Sequence, residues 1–377
     1  MLYWLFYEKL FHHYTPFRLF QYSTVRTAMA SMTALLLSVA LGPWLISRLR
    51  QYQIGQHIRE EGPQSHQKKA GTPTMGGLLI CLSIVVPTLL WANLRVPAIW
   101  VALTGLLSFG AVGLLDDYLK IRRRHSQGLT VAQKFTLEIM AAMLVGVLLL
   151  AMNARGGYST SMNVPFAKNF KPDLLIHPWL HNPWTYPLAF AGFFIFLILV
   201  LVGSSDSVNL TDGLDGLAIG LMIIAAGAMT MLSFLSGNAD FARYLDLART
   251  PGASELTIYC GAMTGASLGF LWYNAHPAEI FMGDVGSLAL GGGLGTVAVL
   301  LKQELLLPFI GGVYVLEAVS VILQVGSFKL RKRRIFKMAP IHHHFEQLGW
   351  AESKVIVRFW IAGLIMALFA LTTLKLR

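Results

Sequence analysis

Residues 111–120 read AVGLLDDYLK, closing a run of about twenty apolar residues with two adjacent aspartates and, three positions later, a lysine. A stretch of that length and apolarity spans a bilayer as a helix, because each residue adds about 1.5 Å to a hydrocarbon crossing of about 30 Å. Its polar end puts two carboxylates at the membrane boundary. Side by side on a helix they point about 100° apart, so they can border one site while playing different parts in it.

The rest of the chain fits that reading. Of 377 residues, 55% are hydrophobic and 13% are charged, and the mean hydropathy is +0.58. A soluble domain carries about a quarter charged residues, so too few are present here to cover a water-facing surface. The sequence predicts an all-α polytopic membrane protein. The net charge of +11 fits basic loops facing anionic lipid; no nucleic-acid-binding motif is present. Cys81 and Cys260 both lie in apolar runs, which predicts reduced core residues and no disulfide framework. The N-terminal MLYWLFYEKLFHHYTPFRLF lacks a basic region followed by a cleavable apolar core, and reads as an interfacial aromatic segment leading into an uncleaved first span.

Ten apolar segments are long enough to span: 24–46, 75–93, 97–115, 135–152, 187–203, 214–236, 256–273, 285–301, 306–325 and 356–374. The eighth is glycine-rich, which suits close helix packing. The ninth contains PFIGG at 308–312, which predicts a kink or break. With no large polar block between them, residues 1–377 form a single membrane domain. The loops after odd-numbered spans hold seventeen Lys and Arg and those after even-numbered spans hold seven. The positive-inside rule then makes the odd loops cytoplasmic and both termini periplasmic. The proline- and tryptophan-bearing stretch 158–186 reads as an outer interfacial loop.

Five polar clusters carry the chemistry: KKAGTPTMGG (68–77), DDYLK (116–120), NLTDGLDGLA (209–218), NAHPAEIFMGDVGS (274–287) and MAPIHHHFE (338–346). They fall in loops one, three, five, seven and nine, all on the cytoplasmic side, as the walls of one cleft. Asp116, Asp117, Asp212, Asp215 and Asp284 place five carboxylates on that face. Asp212 and Asp215, three apart, share a face if helical. Asp284 follows a glycine in a short loop, where backbone can approach a ligand closely. Clustered carboxylates need compensating charge, and a hard cation such as Mg²⁺ bridges one or two of them to substrate phosphates. Lys68, Lys69, Lys120 and Lys134 lie near the carboxylates, Lys120 being the best-placed phosphate ligand. His342, His343 and His344 are consecutive, a spacing that seldom converges on one metal ion and better suits contact with phosphate or sugar. The run KLRKRR (329–334) reads as a membrane-surface basic segment. DDYLK is not the DDxxD of prenyl diphosphate synthases, DGLDGLA lacks the rest of the CDP-alcohol phosphotransferase pattern, and no Walker A loop occurs.

On KKAGTPTMGG, GLLDDYLK, NLTDGLDGLA, FMGDVGSLALGG and MAPIHHHFE, in order and suitably spaced from about residue 20 to the C-terminus, the chain resembles the polyprenyl-phosphate N-acetylhexosamine-1-phosphate transferases. MAPIHHHFE points to the branch with a muramoyl-pentapeptide donor; the sister branch uses UDP-N-acetylglucosamine. The resemblance implies ten transmembrane helices around a cytoplasmic cleft in the bacterial inner membrane, and a homodimer. It implies Mg²⁺-dependent transfer from UDP-N-acetylmuramoyl-pentapeptide to undecaprenyl phosphate, giving lipid I and UMP in the cell-wall pathway. It further implies Asp116, Asp117 and Asp284 as catalytic, with Asp284 and Asp117 on the metal, and Lys120 on a phosphate. Asn209, Asp212, Asp215, Asn274 and Phe281 would frame the nucleoside, Lys69 and His342–His344 would contact the donor sugar-phosphate, and Lys134 would bind substrate. An ion-coupled transporter is the rival from another class, since membrane carboxylates often mark ion pathways. Against it, these carboxylates sit on one face and no internal repeat is evident.

Overall fold

The computed structural model describes residues 1–11, 14–51, 71–123, 128–164, 170–176, 183–245, 247, 250 and 252–376. The regular elements among the described residues are all helices, and an isolated bridge joins Ser161 to Asp173 in the 155–176 loop. Every apolar segment expected to span is a helix. In chain order these are α1 (Ser23–Gln51), α2 (Gly77–Trp91), α3 (Pro97–Arg123), α4 (Val131–Ala154), α5 (Tyr186–Thr211), α6 (Leu217–Gly237), the short α7 (Ala239–Tyr244), α8 (Ala253–Asn274), α9 (Gly283–Leu300), the short α10 (Leu307–Ile310), α11 (Gly312–Arg331), the short α12 (Ile341–Gln347) and α13 (Glu352–Thr372).

Eight of these are long and apolar enough to cross a membrane: α1, α3, α4, α5 from Leu188, α6, α9, α11 and α13. The other two expected spans differ. α2 has 15 residues and covers about 22 Å, less than a full hydrocarbon core. α8 has 22 residues but is buried by its own protein along most of its length, so its sequence owes less to lipid. The break expected in the ninth segment is present. α10 ends after one turn, Gly311 leaves helical geometry at φ −94° and ψ 31°, and α11 begins afresh.

The centre of the bundle is α9, with α3 and α5 packed along it and α2 against its first turns. Its glycines allow this, because backbone meets backbone where side chains would hold helices apart. Gly77 of α2 lies against the Gly286 backbone, Gly113 of α3 against the Asp284 carbonyl, and Gly291 against Ser204 and Ser205 of α5. Ser204 Oγ donates to the Gly291 carbonyl at 2.8 Å across the α5–α9 contact. A similar seam joins α8 to α1, where Gly265 meets the Ser31 carbonyl and Gly269 meets Ser38.

The N-terminal aromatic segment is held to the bundle. Phe6, Phe17, Phe20 and Trp91 stack together, and Arg26 joins Glu255 through two 2.7 Å contacts while lying 4.3 Å from the Tyr3 ring centroid. Both cysteines are free, Cys260 in the core and Cys81 only half-buried.

At the end of α9 away from Asp284, Lys302 and Glu304 form a buried pair. The Lys302 ammonium lies 3.6 Å from the Tyr158 ring centroid and 3.9 Å from Glu304 Oε1, and Glu304 Oε2 has no hydrogen-bond partner. Burial lowers the Lys302 ammonium to about 8 and raises the Glu304 carboxyl to about 7. The folded chain therefore keeps the Glu304 proton above its ordinary 4.5, so stability falls as pH rises towards 7. It releases the Lys302 proton below its ordinary 10.5, so stability rises again above 8. Glu304→Gln alone should cost about 3–5 kcal/mol by leaving a buried ammonium without its anion, whereas Lys302→Met with Glu304→Leu should be neutral or stabilising. Thermal midpoints in detergent across pH check this: wild type should dip between pH 7 and 8 and the double variant should not.

Candidate active site

The helix α3 does not stop before its aspartates. It continues through DDYLK to Arg123, because Lys120 meets Asp116 and Asp117 at the i+4 and i+3 positions and so supports another turn. Asp116 and Asp117 are thus buried on a helix, where the sequence pattern suggested a loop, and they do play different parts. Asp116 Oδ1 accepts from the Leu129 amide at 2.6 Å, fastening the segment that leads into α4. Asp117 Oδ2 accepts from the Val285 amide at 3.2 Å, seating the carboxylate on the N-terminus of α9 where the helix dipole favours negative charge.

Asp284 is likewise helical, in the first turn of α9, and not in a loop. The turn before it is tight: Gly283 has φ +70°, and a Cβ there would sit 2.6 Å from Asp117 Oδ2. Two backbone bonds from α2 hold this turn, Gly76 N–H to the Phe281 carbonyl at 2.9 Å and Gly77 N–H to the Met282 carbonyl at 2.8 Å. TPTMGG (72–77) and FMGDVGS (281–287) are therefore laid alongside one another. Lys68 and Lys69 lie outside the described residues.

One oxygen from each of Asp116, Asp117 and Asp284 falls within 4.8 Å of the others. The Lys120 ammonium sits among them, 2.6 Å from Asp116 Oδ2, 3.4 Å from Asp117 Oδ1 and 2.7 Å from Asp284 Oδ2. Lys134 approaches from α4, whose start is fixed by a reciprocal Thr130–Gln133 capping box. Its ammonium lies 3.2 Å from Asn209 Oδ1 and 3.4 Å from Asp284 Oδ2. Asn209 completes the ring, donating to Asp284 Oδ1 at 2.7 Å and to Ser287 Oγ at 2.8 Å. Three carboxylates around one cation are an all-oxygen donor set that suits Mg²⁺, and the ammonium of Lys120 is the positive charge now compensating them.

Asp212 and Asp215 do not share a helix face, because α5 ends at Thr211 and residues 212–216 form a turn closed by Gly216 at φ +78°. Burial, with the carboxylates of Asp284, Asp117 and Asp215, raises the Asp212 carboxyl to about 8. Asp215 belongs to a second cluster that sequence reading missed. Its Oδ2 lies 3.2 Å from His276 Nδ1 and accepts from the Ala278 amide at 3.1 Å, and Glu352 Oε1 accepts from the Asp215 amide at 3.1 Å. Asn274 is 2% exposed and its amide is committed within the protein, accepting from Gly216 N–H at 3.1 Å and donating to the Ile280 carbonyl at 2.8 Å. It ties the turn at Gly216 to the segment at Ile280. Phe281 is half-buried at the joint between the two motifs.

The three histidines lie on α12 and take different partners, although the ring centroids of His342 and His343 stay 4.1 Å apart. His342 is fully buried, 3.1 Å from Glu317 Oε2 of α11, with its ring against Gly213. His343 pairs with Glu346 at 2.7 Å, and His344 Nδ1 accepts from the Lys337 amide at 3.1 Å. His342 thus supports the Asp212–Asp215 turn from behind, a different place from the expected direct contact.

Comparison with known proteins fits this geometry. Residues 99–302 match the sequence profile of glycosyl transferase family 4, and residues 69–81 match signature 1 of the phospho-N-acetylmuramoyl-pentapeptide-transferases. The chain is 65% identical to the phospho-N-acetylmuramoyl-pentapeptide-transferase of Solibacter usitatus, 63% to that of Koribacter versatilis and 64% to that of Acidobacterium capsulatum, in each case over the whole of both chains. The chain belongs to the phospho-N-acetylmuramoyl-pentapeptide-transferase family. The signature at 69–81 covers the segment that pairs with the Asp284 turn, and the longer match spans α3 to α9. Asp116, Asp117, Lys120, Lys134, Asn209 and Asp284 all lie within it.

Proposed function

We propose that this cleft transfers phospho-N-acetylmuramoyl-pentapeptide from its UDP donor to undecaprenyl phosphate, forming lipid I and releasing UMP. The carrying observation is the ring of Asp116, Asp117, Asp284, Lys120, Lys134 and Asn209, which joins a cation-holding carboxylate set to two ammonium groups. Phosphoryl transfer asks a protein mainly for positioning and charge neutralisation, and this ring is equipped for both. Asp284 and Asp117 would hold Mg²⁺, which supplies neutralisation of the diphosphate and stabilises UMP as the leaving group. Asp116 positions or deprotonates the acceptor phosphate. Lys120 and Lys134 would take phosphate oxygens. The nucleoside lies along Asp212, Asp215 and Phe281, with Asn274 and His342 behind that wall. Lys69, His343 and His344 meet the donor sugar-phosphate.

Around this chemistry we infer ten membrane crossings, periplasmic termini and a cytoplasmic cleft in the bacterial inner membrane, in agreement with the excess of Lys and Arg in the odd loops. A homodimer completes the reading. The break at Gly311 between α10 and α11 supports a lateral groove there for the polyprenyl tail.

The test is UMP release by the protein purified in detergent with Mg²⁺ and undecaprenyl phosphate, each UDP-sugar offered separately. Release with the muramoyl-pentapeptide donor alone is expected. Release with UDP-N-acetylglucosamine would move the chain to the sister reaction, and release with neither would end the proposal.

A further inference from the structure

The turn 212–216, which leads into α6, is held from two remote segments of the chain. Its last two amides are each taken by a side chain: Asp215 N–H donates to Glu352 Oε1 at 3.1 Å, and Gly216 N–H donates to Asn274 Oδ1 at 3.1 Å. The Asp215 carboxylate is held as well. Its Oδ2 accepts from the Ala278 amide at 3.1 Å and lies 3.2 Å from His276 Nδ1. An ionised carboxylate can only accept, so Nδ1 carries the hydrogen of that contact. Glu352 Oε2 stands 3.7 Å from the same nitrogen. One imidazole N–H thus faces two carboxylates, which would otherwise repel each other unrelieved. The side chains of Asp215, Glu352 and His276 are 2%, 11% and 42% exposed, so the two anions are shielded and the histidine forms the solvent side of the joint.

We propose that His276 and Glu352 are positioning residues for Asp215, and through it for the nucleoside of the UDP donor. Glu352, the first residue of α13, fixes the backbone of Asp215, while His276 fixes the plane of its carboxylate. Neither side chain needs to touch the substrate. The nucleoside wall is then set by three pieces of chain far apart in sequence: the turn after α5, the segment before α9 and the start of α13. The inference rests on the transferase reading, with the nucleoside along Asp212, Asp215 and Phe281. It also separates the two substrates. None of these contacts involves Asp116, Asp117, Asp284, Lys120 or Lys134, so the acceptor phosphate should not feel their loss.

Full-length protein in detergent carrying H276F or E352A tests it, because each removes the hydrogen-bonding group and H276F keeps an aromatic ring in place. The expected result is a rise of about tenfold in KM for the UDP donor, with KM for undecaprenyl phosphate unchanged. The dissociation constant of UMP alone, measured by titration calorimetry, should rise by the same factor, which puts the effect at the nucleoside and not at the peptide. H276N restores a donor near the place of Nδ1 and E352Q restores an acceptor at Oε1. Both should return the donor KM to within about threefold of wild type. A joint that serves only the fold would lower the thermal midpoint and leave the donor KM unmoved, and that outcome overturns the proposal. An equal rise in both KM values overturns it too, as does failure of H276N and E352Q to restore the donor KM. If H276F does not fold, H276A gives the same comparison. Absence of turnover in wild type with any donor would overturn the transferase reading itself, whereas normal wild-type turnover with unmoved variants overturns this inference alone.

Discussion

Asp284→Asn is expected to lower UMP release by more than about 100-fold while leaving the protein folded. The carboxylate of Asp284 is the one group in contact with both ammonium ions and with Asn209, at 2.7 Å from Lys120, 3.4 Å from Lys134 and 2.7 Å from Asn209 Nδ2. An amide in its place keeps the shape of the ring but removes a full charge from the donor set for a divalent cation, which is the part of the reaction the protein cannot replace by packing. Stability should fall little. Asp284 gives up its pairs with Lys120 and Lys134, but Lys120 keeps Asp116 and Asp117 and Lys134 keeps the Asn209 oxygen, and one of three mutually repelling carboxylates is removed. The expected thermal midpoint without metal is therefore close to that of wild type. The rise that Mg²⁺ gives wild type, by binding the folded state alone, should be lost. Near-normal turnover in a folded Asp284→Asn protein would remove Asp284 from the metal set. Loss of the fold would instead make it a structural residue.

How far the sequence carried the reading depends on distance along the chain. The spans were legible because apolar length is a local property, and PFIGG announced the break at Gly311 because proline and glycine act on their own neighbourhood. The ends of helices were less legible. DDYLK looks like a loop by charge, yet Lys120 pairs with Asp116 and Asp117 across one turn and carries α3 on to Arg123. The reverse error occurred at Asp212 and Asp215, where the helical spacing is present but α5 has already ended. Contacts between remote segments left the faintest trace. His276 and Glu352 meet Asp215 across 61 and 137 residues, and Glu317 reaches His342 from a different helix.

Gly113→Ala is expected to abolish activity and lower the thermal midpoint, although it adds only a single methyl group. Gly113 lies in the buried face of α3 where a Cβ would meet the Asp284 carbonyl and the Val285 amide. These are backbone atoms, which cannot turn aside as the end of a flexible side chain can, so the two helices must separate. Overpacking of this kind costs about 1–3 kcal/mol. The larger effect is geometric. The same contact brings the Val285 amide to 3.2 Å from Asp117 Oδ2 and keeps Asp284 beside Lys120. Prising α9 from α3 by a fraction of an ångström opens the carboxylate triad from the side on which it is built, and a displacement of about 1 Å can cost a hundredfold in rate. Gly227→Ala is the control. It lies in α6 with nothing within 4 Å of the added carbon, so it should leave turnover unchanged and gain up to about 1 kcal/mol from better helix propensity. Measured together as UMP release and thermal midpoint in detergent, the two substitutions separate helix propensity from helix contact. Wild-type activity in Gly113→Ala would mean that the α3–α9 approach does not set the spacing of the carboxylates.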